Sequence, residues 1–183
     1  MELETNRLIL RPWAEEDAEE LYLHAKDPLV GPMAGWPVHT SVENSRDIIC
    51  NVLSAEGTFA VVHKSTGKAI GSVGVMLGSI GTAEKQPDEA EIGYWIGQAY
   101  WGQGLIPEAV RELLRYCFED LNLSGIWCGY YEGNIKSKRV QEKCGFIPHH
   151  KEENKPCEKM GDERTEYFTY MSRAQWLELQ EKA

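Results

Sequence analysis

Long hydrophobic runs are missing from this 183-residue chain. No uninterrupted apolar stretch approaches the ~18 residues that cross a bilayer as a helix. The most apolar stretch, Ala69 to Leu77, contains glycine and serine and reads as a strand. The segment Met1 to Arg7 lacks the basic start and apolar core of a secretion signal. Cysteine is scarce: Cys50, Cys117, Cys128, Cys144 and Cys157 are irregularly spaced, and no two form Cys-x-x-Cys. That excludes a disulfide framework, and a cytoplasmic protein with reduced thiols is the expectation. Positive charge is also short, with 19 Lys plus Arg against 29 Asp plus Glu and a formal net charge of -10. Non-specific binding to nucleic acid or to an anionic membrane depends on excess positive charge, so neither partner is expected. Such acidity suits a cationic substrate such as an amine, and it equally serves solubility.

What is present is the material of a globular protein. Hydrophobic residues make up 42% and charged residues 26%, with no internal repeat, low-complexity tract or linker. One domain over residues 1–183 is expected. Arg7 to Trp13 alternates as a strand ended by Pro12, and Ala18, Leu21, Tyr22 and Ala25 follow at helical spacing. A Pro/Gly loop carrying Trp36 and His39 precedes a second helix, capped by Thr40 or Ser41 and striped by Ile48, Ile49, Val52 and Leu53. Phe59–Val62 and Ala69–Met76 flank a Lys64–Gly67 turn as a hairpin. Further strands are predicted at Ala90–Ile96, Gly125–Tyr131, Phe146–Ile147 and Glu166–Met171, with Lys151–Glu163 as a polar loop. Helices are predicted from about Pro107 to Leu121, over Ile135–Cys144 between an Asn134 cap and a Gly145 stop, and over Arg173–Lys182.

The informative segment is Tyr94-Trp95-Ile96-Gly97-Gln98-Ala99-Tyr100-Trp101-Gly102-Gln103-Gly104-Leu105-Ile106-Pro107-Glu108-Ala109. It reads as a strand, a tight glycine turn and a helix start. Successive backbone N–H groups there, aided by the helix dipole, make an anion cradle, and glycine lets the backbone approach a phosphate closely. Pro107, which has no N–H, fits the first helical turn. The segment is not a Rossmann fingerprint, because Pro107 occupies the place of the third glycine. Nor is there a Walker A loop: Gly67-Lys68 is followed by Ala69, with Val62 where the first glycine belongs. An ordinary strand-to-helix turn is the plainer alternative.

This segment resembles the acetyl-CoA loop of the GNAT superfamily of N-acetyltransferases, whose pattern is Gln/Arg-x-x-Gly-x-Gly/Ala. With Gly104 as the central glycine, the first position falls on Trp101 and the last on Ile106, both departures. The form Trp-Gly-x-Gly followed by an apolar residue and x-Glu-Ala is similar to the RimJ/RimL-like branch, the ribosomal-protein alanine N-acetyltransferases. The absence of Gln or Arg at Trp101 leaves backbone donors to carry the pyrophosphate. A second block, Asn134 to Phe146, resembles the family's Asn-x-x-Ser-x-x-x-x-Glu-Lys-x-Gly-Phe signature. Asn6 to Trp13 is similar to its first strand, and the tail around Trp176 also matches. The resemblance covers nearly the whole chain.

The resemblance implies an α/β (α+β) fold: a mixed, mostly antiparallel sheet with helices on both faces and a splayed pair of parallel strands, Glu91–Ile96 and Gly125–Tyr130. It implies acetyl-CoA as cosubstrate and no metal. The pantetheine arm would bond backbone near Tyr94, Trp95 and Ile96, and the pyrophosphate would sit on Gly102, Gln103, Gly104, Leu105 and Ile106. It implies a primary amine as acceptor and a homodimer as the family-level expectation. A non-catalytic acyl-CoA-binding sensor or scaffold is the alternative from another class. An amine must lose a proton before attack, and Glu91 or Glu89 is the candidate base, directly or through a water, against the plainer reading of a solvated strand-end charge. By the resemblance Ser137 would protonate the departing thiolate, with Tyr130 and Tyr131 as alternative donors. Asn134 would bond the cofactor arm, cap the helix, or both. Trp36 and His39 are candidates for the acceptor pocket or for loop packing. His149 and His150 with Cys144 and Cys157 lack metal-ligand spacing. If the reading holds, acid should be sparse around Gly102–Ile106 and denser at the acceptor mouth.

Overall fold

Alternation at Leu8–Arg11 puts Leu8 and Leu10 on one buried face, whereas the central strands of the sheet are buried in continuous runs, as at Phe59–Val62 and Ala69–Val73. The computed structural model describes residues 1–182, so Ala183, the end of the span expected as one domain, lies outside the described residues. Among the described residues there are eight strands and six helices: β1 (Leu3–Glu4), β2 (Leu8–Arg11), α1 (Ala18–Ala25), α2 (Gly31–Ala34), α3 (Val42–Ile48), β3 (Thr58–His63), β4 (Lys68–Leu77), β5 (Glu89–Ile96), α4 (Leu105–Arg115), β6 (Gly125–Tyr131), α5 (Ile135–Cys144), β7 (Ile147–Cys157), β8 (Asp162–Ser172) and α6 (Arg173–Glu181). The strand order is β1-β2-β3-β4-β5-β6-β8-β7, mostly antiparallel, with β5 and β6 as a parallel pair. That parallel ladder runs over Glu89–Ile92 and Gly125–Cys128.

The chain folds as two compact units. The first comprises Met1–Gly74, Tyr94–Glu112 and Glu158–Met160. Its core gathers Trp13, Ala18, Leu21, Ala25, Ile49, Ala60, Val62 and Ala69, with Trp36 and Trp95 packed against it. Ser41, not Thr40, caps α3 by accepting from the Asn44 N–H at 3.0 Å. Of the apolar stripe predicted for this helix, Ile49 is buried and Val52 is exposed.

The second unit comprises Val75–Gly93, Leu113–Cys157 and the chain from Gly161 on. Ile126, Phe168 and Met171 are fully buried, and Phe118 packs on Trp176 of α6 at 5.3 Å. A capping box, with Ser172 accepting from Gln175 N–H and Gln175 from Ser172 N–H, starts α6. The predicted loop at 151–163 is instead most of β7 and the start of β8, a long antiparallel hairpin. The alternation that marks a half-buried strand is missing because β7 is an edge strand with almost every residue exposed. Pro148, Pro156 and two register shifts are tolerated on such an edge.

Candidate active site

In the first unit, β5 delivers Tyr94, Trp95 and Ile96 to the start of the glycine turn. Trp95 stacks on Trp13 with ring centres 6.3 Å apart and meets the edge of Trp36 at 5.5 Å. The Trp101 indole N–H donates to the Ile96 carbonyl at 3.0 Å, closing the turn on the end of its own strand. Gly102 and Gly104 have φ of 75° and 74°, the left-handed region that a side chain makes costly. A Cβ built on Gly102 would meet nothing within 4 Å, so its glycine serves the backbone path and the space beside it is open.

Helix α4 begins at Leu105, two residues before the predicted start, so Pro107 is its third residue. The first N–H to bond back along the helix is that of Glu108, to the Gly104 carbonyl at 3.2 Å. The N–H groups of Leu105 and Ile106 therefore have no acceptor within the helix, and Pro107 has none to place. An anion here would meet aligned donors and the positive end of the dipole.

Two residues that carried no assigned role in the sequence hold this loop. The Glu108 carboxylate accepts from Arg7 N–H at 2.8 Å, from Arg7 Nε at 2.7 Å and from the Thr5 hydroxyl. Arg7 Nη1 also donates to the Gln103 carbonyl at 3.0 Å. The first strand is thereby clamped to the glycine turn. Burial opposes ionisation of Glu108, but Thr5 and Arg7 outweigh it and hold the carboxyl below its ordinary range. Both residues stood inside the motif blocks, so position was the available signal and the pairing was not. Trp36 and His39 fit the packing reading: Trp36 covers Gly31 and tilts against His39, whose Nδ1 lies 2.8 Å from the buried Ser45 hydroxyl.

The second unit carries the other candidates. Glu91 and Glu89 are not solvated strand-end charges, since both are buried. The Glu91 Oε2 accepts from the N–H groups of Thr82 and Ala83 at 2.6 and 2.8 Å, and its Oε1 from the Thr82 hydroxyl at 3.0 Å. Lys85 Nζ stands 3.8 Å away. Glu89 accepts from the Trp127 indole, the Tyr170 hydroxyl and the Gln86 N–H at 2.8, 2.9 and 3.0 Å. Burial would raise the Glu89 carboxyl, but these donors prevail and hold it below the ordinary range.

Asn134 caps α5, its Oδ1 accepting from the Ser137 N–H at 3.2 Å. The Ser137 oxygen accepts from Gln141 Nε2 at 3.3 Å. That amide also donates to the Gly129 carbonyl, and its oxygen accepts from Thr169. Gln141 is buried, so the serine is oriented by a network anchored on β6 and β8. Tyr130 stacks on Tyr167 at 5.2 Å, and the Tyr131 hydroxyl approaches Cys157 Sγ at 3.7 Å. Burial raises both tyrosines above their ordinary range. His149 and His150 contact each other and meet the Trp127 ring in T-shaped arrangements. Among the described residues, no group of three or more His, Cys, Asp or Glu could hold a metal ion.

Residues 7–147 match the acetyltransferase (GNAT) domain family. The chain belongs to this family. It is 37% identical over 149 residues to the uncharacterized N-acetyltransferase p20 of Bacillus licheniformis, covering 79% of this chain and 81% of that one. Its fold matches the GNAT-family acetyltransferase from Bacillus anthracis with a TM-score of 0.81 at 21% identity, covering 95% and 99% of the two chains. It also matches the ribosomal-protein-S5-alanine acetyltransferase from Vibrio fischeri, with a TM-score of 0.73 at 20% identity over 96% and 98%. At such identities the fold is what is shared. This N-acetyltransferase has, among its described residues, no helix long and apolar enough to cross a membrane.

Proposed function

We propose that this enzyme transfers the acetyl group of acetyl-CoA to a primary amine by direct attack in a ternary complex. The acceptor would be a protein α-amine, a polyamine or a small amino compound. The observation that carries the reading is the Gly102–Gly104 turn, with its two left-handed glycines, the open space beside Gly102 and the intrahelically unpaired Leu105 and Ile106 N–H groups. These backbone donors, with those of Gly102, Gln103 and Gly104, would receive the pyrophosphate, and the Arg7–Glu108 pair beside them braces the turn without adding net charge. Backbone of Tyr94, Trp95 and Ile96 would receive the pantetheine amides, with Trp101 bracing the turn and Asn134 adding a side-chain contact.

Acetyl-CoA supplies an activated acyl carbon. In the step proposed, the amine nitrogen forms a bond to that carbon while the carbon–sulfur bond breaks and sulfur departs with the electron pair. An α-amine has a pKa of about 8 and a lysine about 10.4, so a base matters more for the latter. Glu91 is the proposed base, directly or through a water. Its Oε1 carries one hydrogen bond against two on Oε2, and is therefore the oxygen better able to take the proton. Ser137 is the proposed donor to the departing sulfur, aimed by Gln141.

The test is to mix enzyme with acetyl-CoA and a panel of amines, including an alanine-initiated peptide and spermidine, and to titrate free thiol. Thiol release that depends on one class of amine supports the proposal and names the acceptor. Binding of CoA without any acceptor-dependent thiol overturns it in favour of an acyl-CoA-binding module.

A further inference from the structure

The hydroxyl of Thr82 lies between two buried carboxylates: 3.0 Å from Glu91 Oε1 and 2.9 Å from Glu166 Oε1. Both glutamates are 5% exposed. A hydroxyl has one hydrogen, so it can donate across only one of these contacts. The other needs a hydrogen from the carboxyl side, because two bare carboxylate oxygens cannot both be satisfied by it. Glu91 already has two backbone donors from the loop, and Glu166 has none. The second oxygen of Glu166, Oε2, is buried and makes no hydrogen bond.

The surrounding charges leave the same vacancy in the balance. Lys85 stands 3.8 Å from Glu91. Lys155 Nζ is committed to Glu152 at 2.6 Å and to the Thr82 carbonyl at 2.7 Å, and reaches Glu166 Oε2 only at 3.5 Å. The remaining titratable neighbours are Tyr131, raised and so neutral, Cys157 against its hydroxyl, and Arg164, which covers the Tyr131 ring and pairs with Asp162. Lys85 thus faces Glu91, and Lys155 is shared between Glu152 and Glu166, so three carboxyls here face two lysines. Glu166 packs directly over Gly129 of β6, where a side-chain Cβ would lie 2.6 Å from its Oε1.

The geometry points to Glu166 as a positioning residue: a buried carboxylic acid that donates a hydrogen bond to the Thr82 hydroxyl, which in turn donates to Glu91 Oε1 and orients that carboxylate. Two carboxyls this closely coupled do not ionise together, and the one with fewer donors keeps the proton. Burial pushes Glu166 above the usual carboxylate range against pulls from Thr82 and Lys155, with a smaller push from the charge of Glu91. The consequence for catalysis rests on the reading of Glu91 as base. A neutral Glu166 frees the Thr82 hydroxyl to donate to Glu91 Oε1, and ionisation of Glu166 at higher pH removes that arrangement.

An infrared difference spectrum between wild type and Glu166→Gln tests the proton itself, without any activity. The account expects the carbonyl stretch of a protonated carboxylic acid at neutral pH, shifted in D2O and lost in E166Q. Its absence at neutral pH overturns the proposal. In the thiol-release assay, Glu166→Ala should lower kcat about tenfold with little change in KM for acetyl-CoA, whereas E166Q, which can still donate to Thr82, should restore most of the rate and remove one ionisation from the pH profile. Equal losses in the two variants, or an unaltered pH profile in E166Q, overturn the positioning role. If E166A does not fold, E166Q alone supplies both readouts. If the wild type transfers no acetyl group, the reading of the site as a transferase fails while the infrared result still decides the proton.

Discussion

The glycine turn at Gly102–Gly104 and the carboxylate cluster around Glu91 are built from different materials. The turn is a backbone device. Its donors are peptide N–H groups, its shape comes from two left-handed glycines, and one ion pair, Arg7 with Glu108, anchors it. The cluster is a side-chain device assembled from Thr82, Glu91, Lys155 and Glu166, whose hydrogen bonds span up to 84 positions. A backbone cradle tolerates exchange of most neighbouring side chains, provided that the path of the chain survives. A buried polar cluster depends on every member, because each unmet donor or acceptor there costs about 1–3 kcal/mol.

The largest effect should come from breaking the backbone path. Gly104→Val places a β-branched residue at φ 74°, and should weaken acetyl-CoA binding at least ~100-fold by calorimetry, through strain of the turn and obstruction of its donors. Near-wild-type affinity would remove the pyrophosphate from this loop. Next in size, Ser137→Ala should lower kcat about 10- to 100-fold while acetyl-CoA affinity stays within about twofold. An unchanged rate would take Ser137 out of the mechanism.

The smallest effect concerns stability and acid. The Glu89 carboxyl is held below its ordinary range, so the folded state binds fewer protons there than the unfolded chain. Its contribution is full above the unfolded value, near pH 4 to 5, and is lost as pH falls through the folded one. Glu89→Gln should therefore lower the unfolding free energy at neutral pH by about 1–3 kcal/mol and flatten its decline in acid. Denaturant melts at a series of pH values would measure both, and parallel curves for the two proteins would contradict the linkage.

The same contrast explains what could be read from the sequence. The turn was legible because its glycines and the proline after them are local backbone signals, and the strand expected at Ala90–Ile96 is observed at Glu89–Ile96, its parallel pairing having come from the family resemblance. Helix α5 was bounded correctly by Asn134 and Gly145, whose roles as N-cap and left-handed C-cap are also local. The β7–β8 hairpin was not, because an exposed Lys/Glu-rich edge strand carries no buried face to leave a period. Nor was the burial of Glu89 and Glu91. A glutamate at the start of a strand looks solvated until Trp127, Tyr170 and the 82–83 backbone are brought to it, and those partners come from the register of the sheet. The net charge of -10 shows the same limit, since composition could not reveal that a cation, Arg7, braces the glycine turn.

The central claim is that the turn grips the pyrophosphate of acetyl-CoA, and it is tested most directly with a ligand that lacks that group. S-acetylpantetheine retains the thioester and the amide arm but carries neither the pyrophosphate nor the adenosine. Its affinity for the wild-type enzyme should be measured beside that of acetyl-CoA. The account predicts that S-acetylpantetheine binds at least ~100-fold more weakly, the loss expected when several backbone hydrogen bonds to a charged group go unmade. Equal affinity for the two ligands would contradict it.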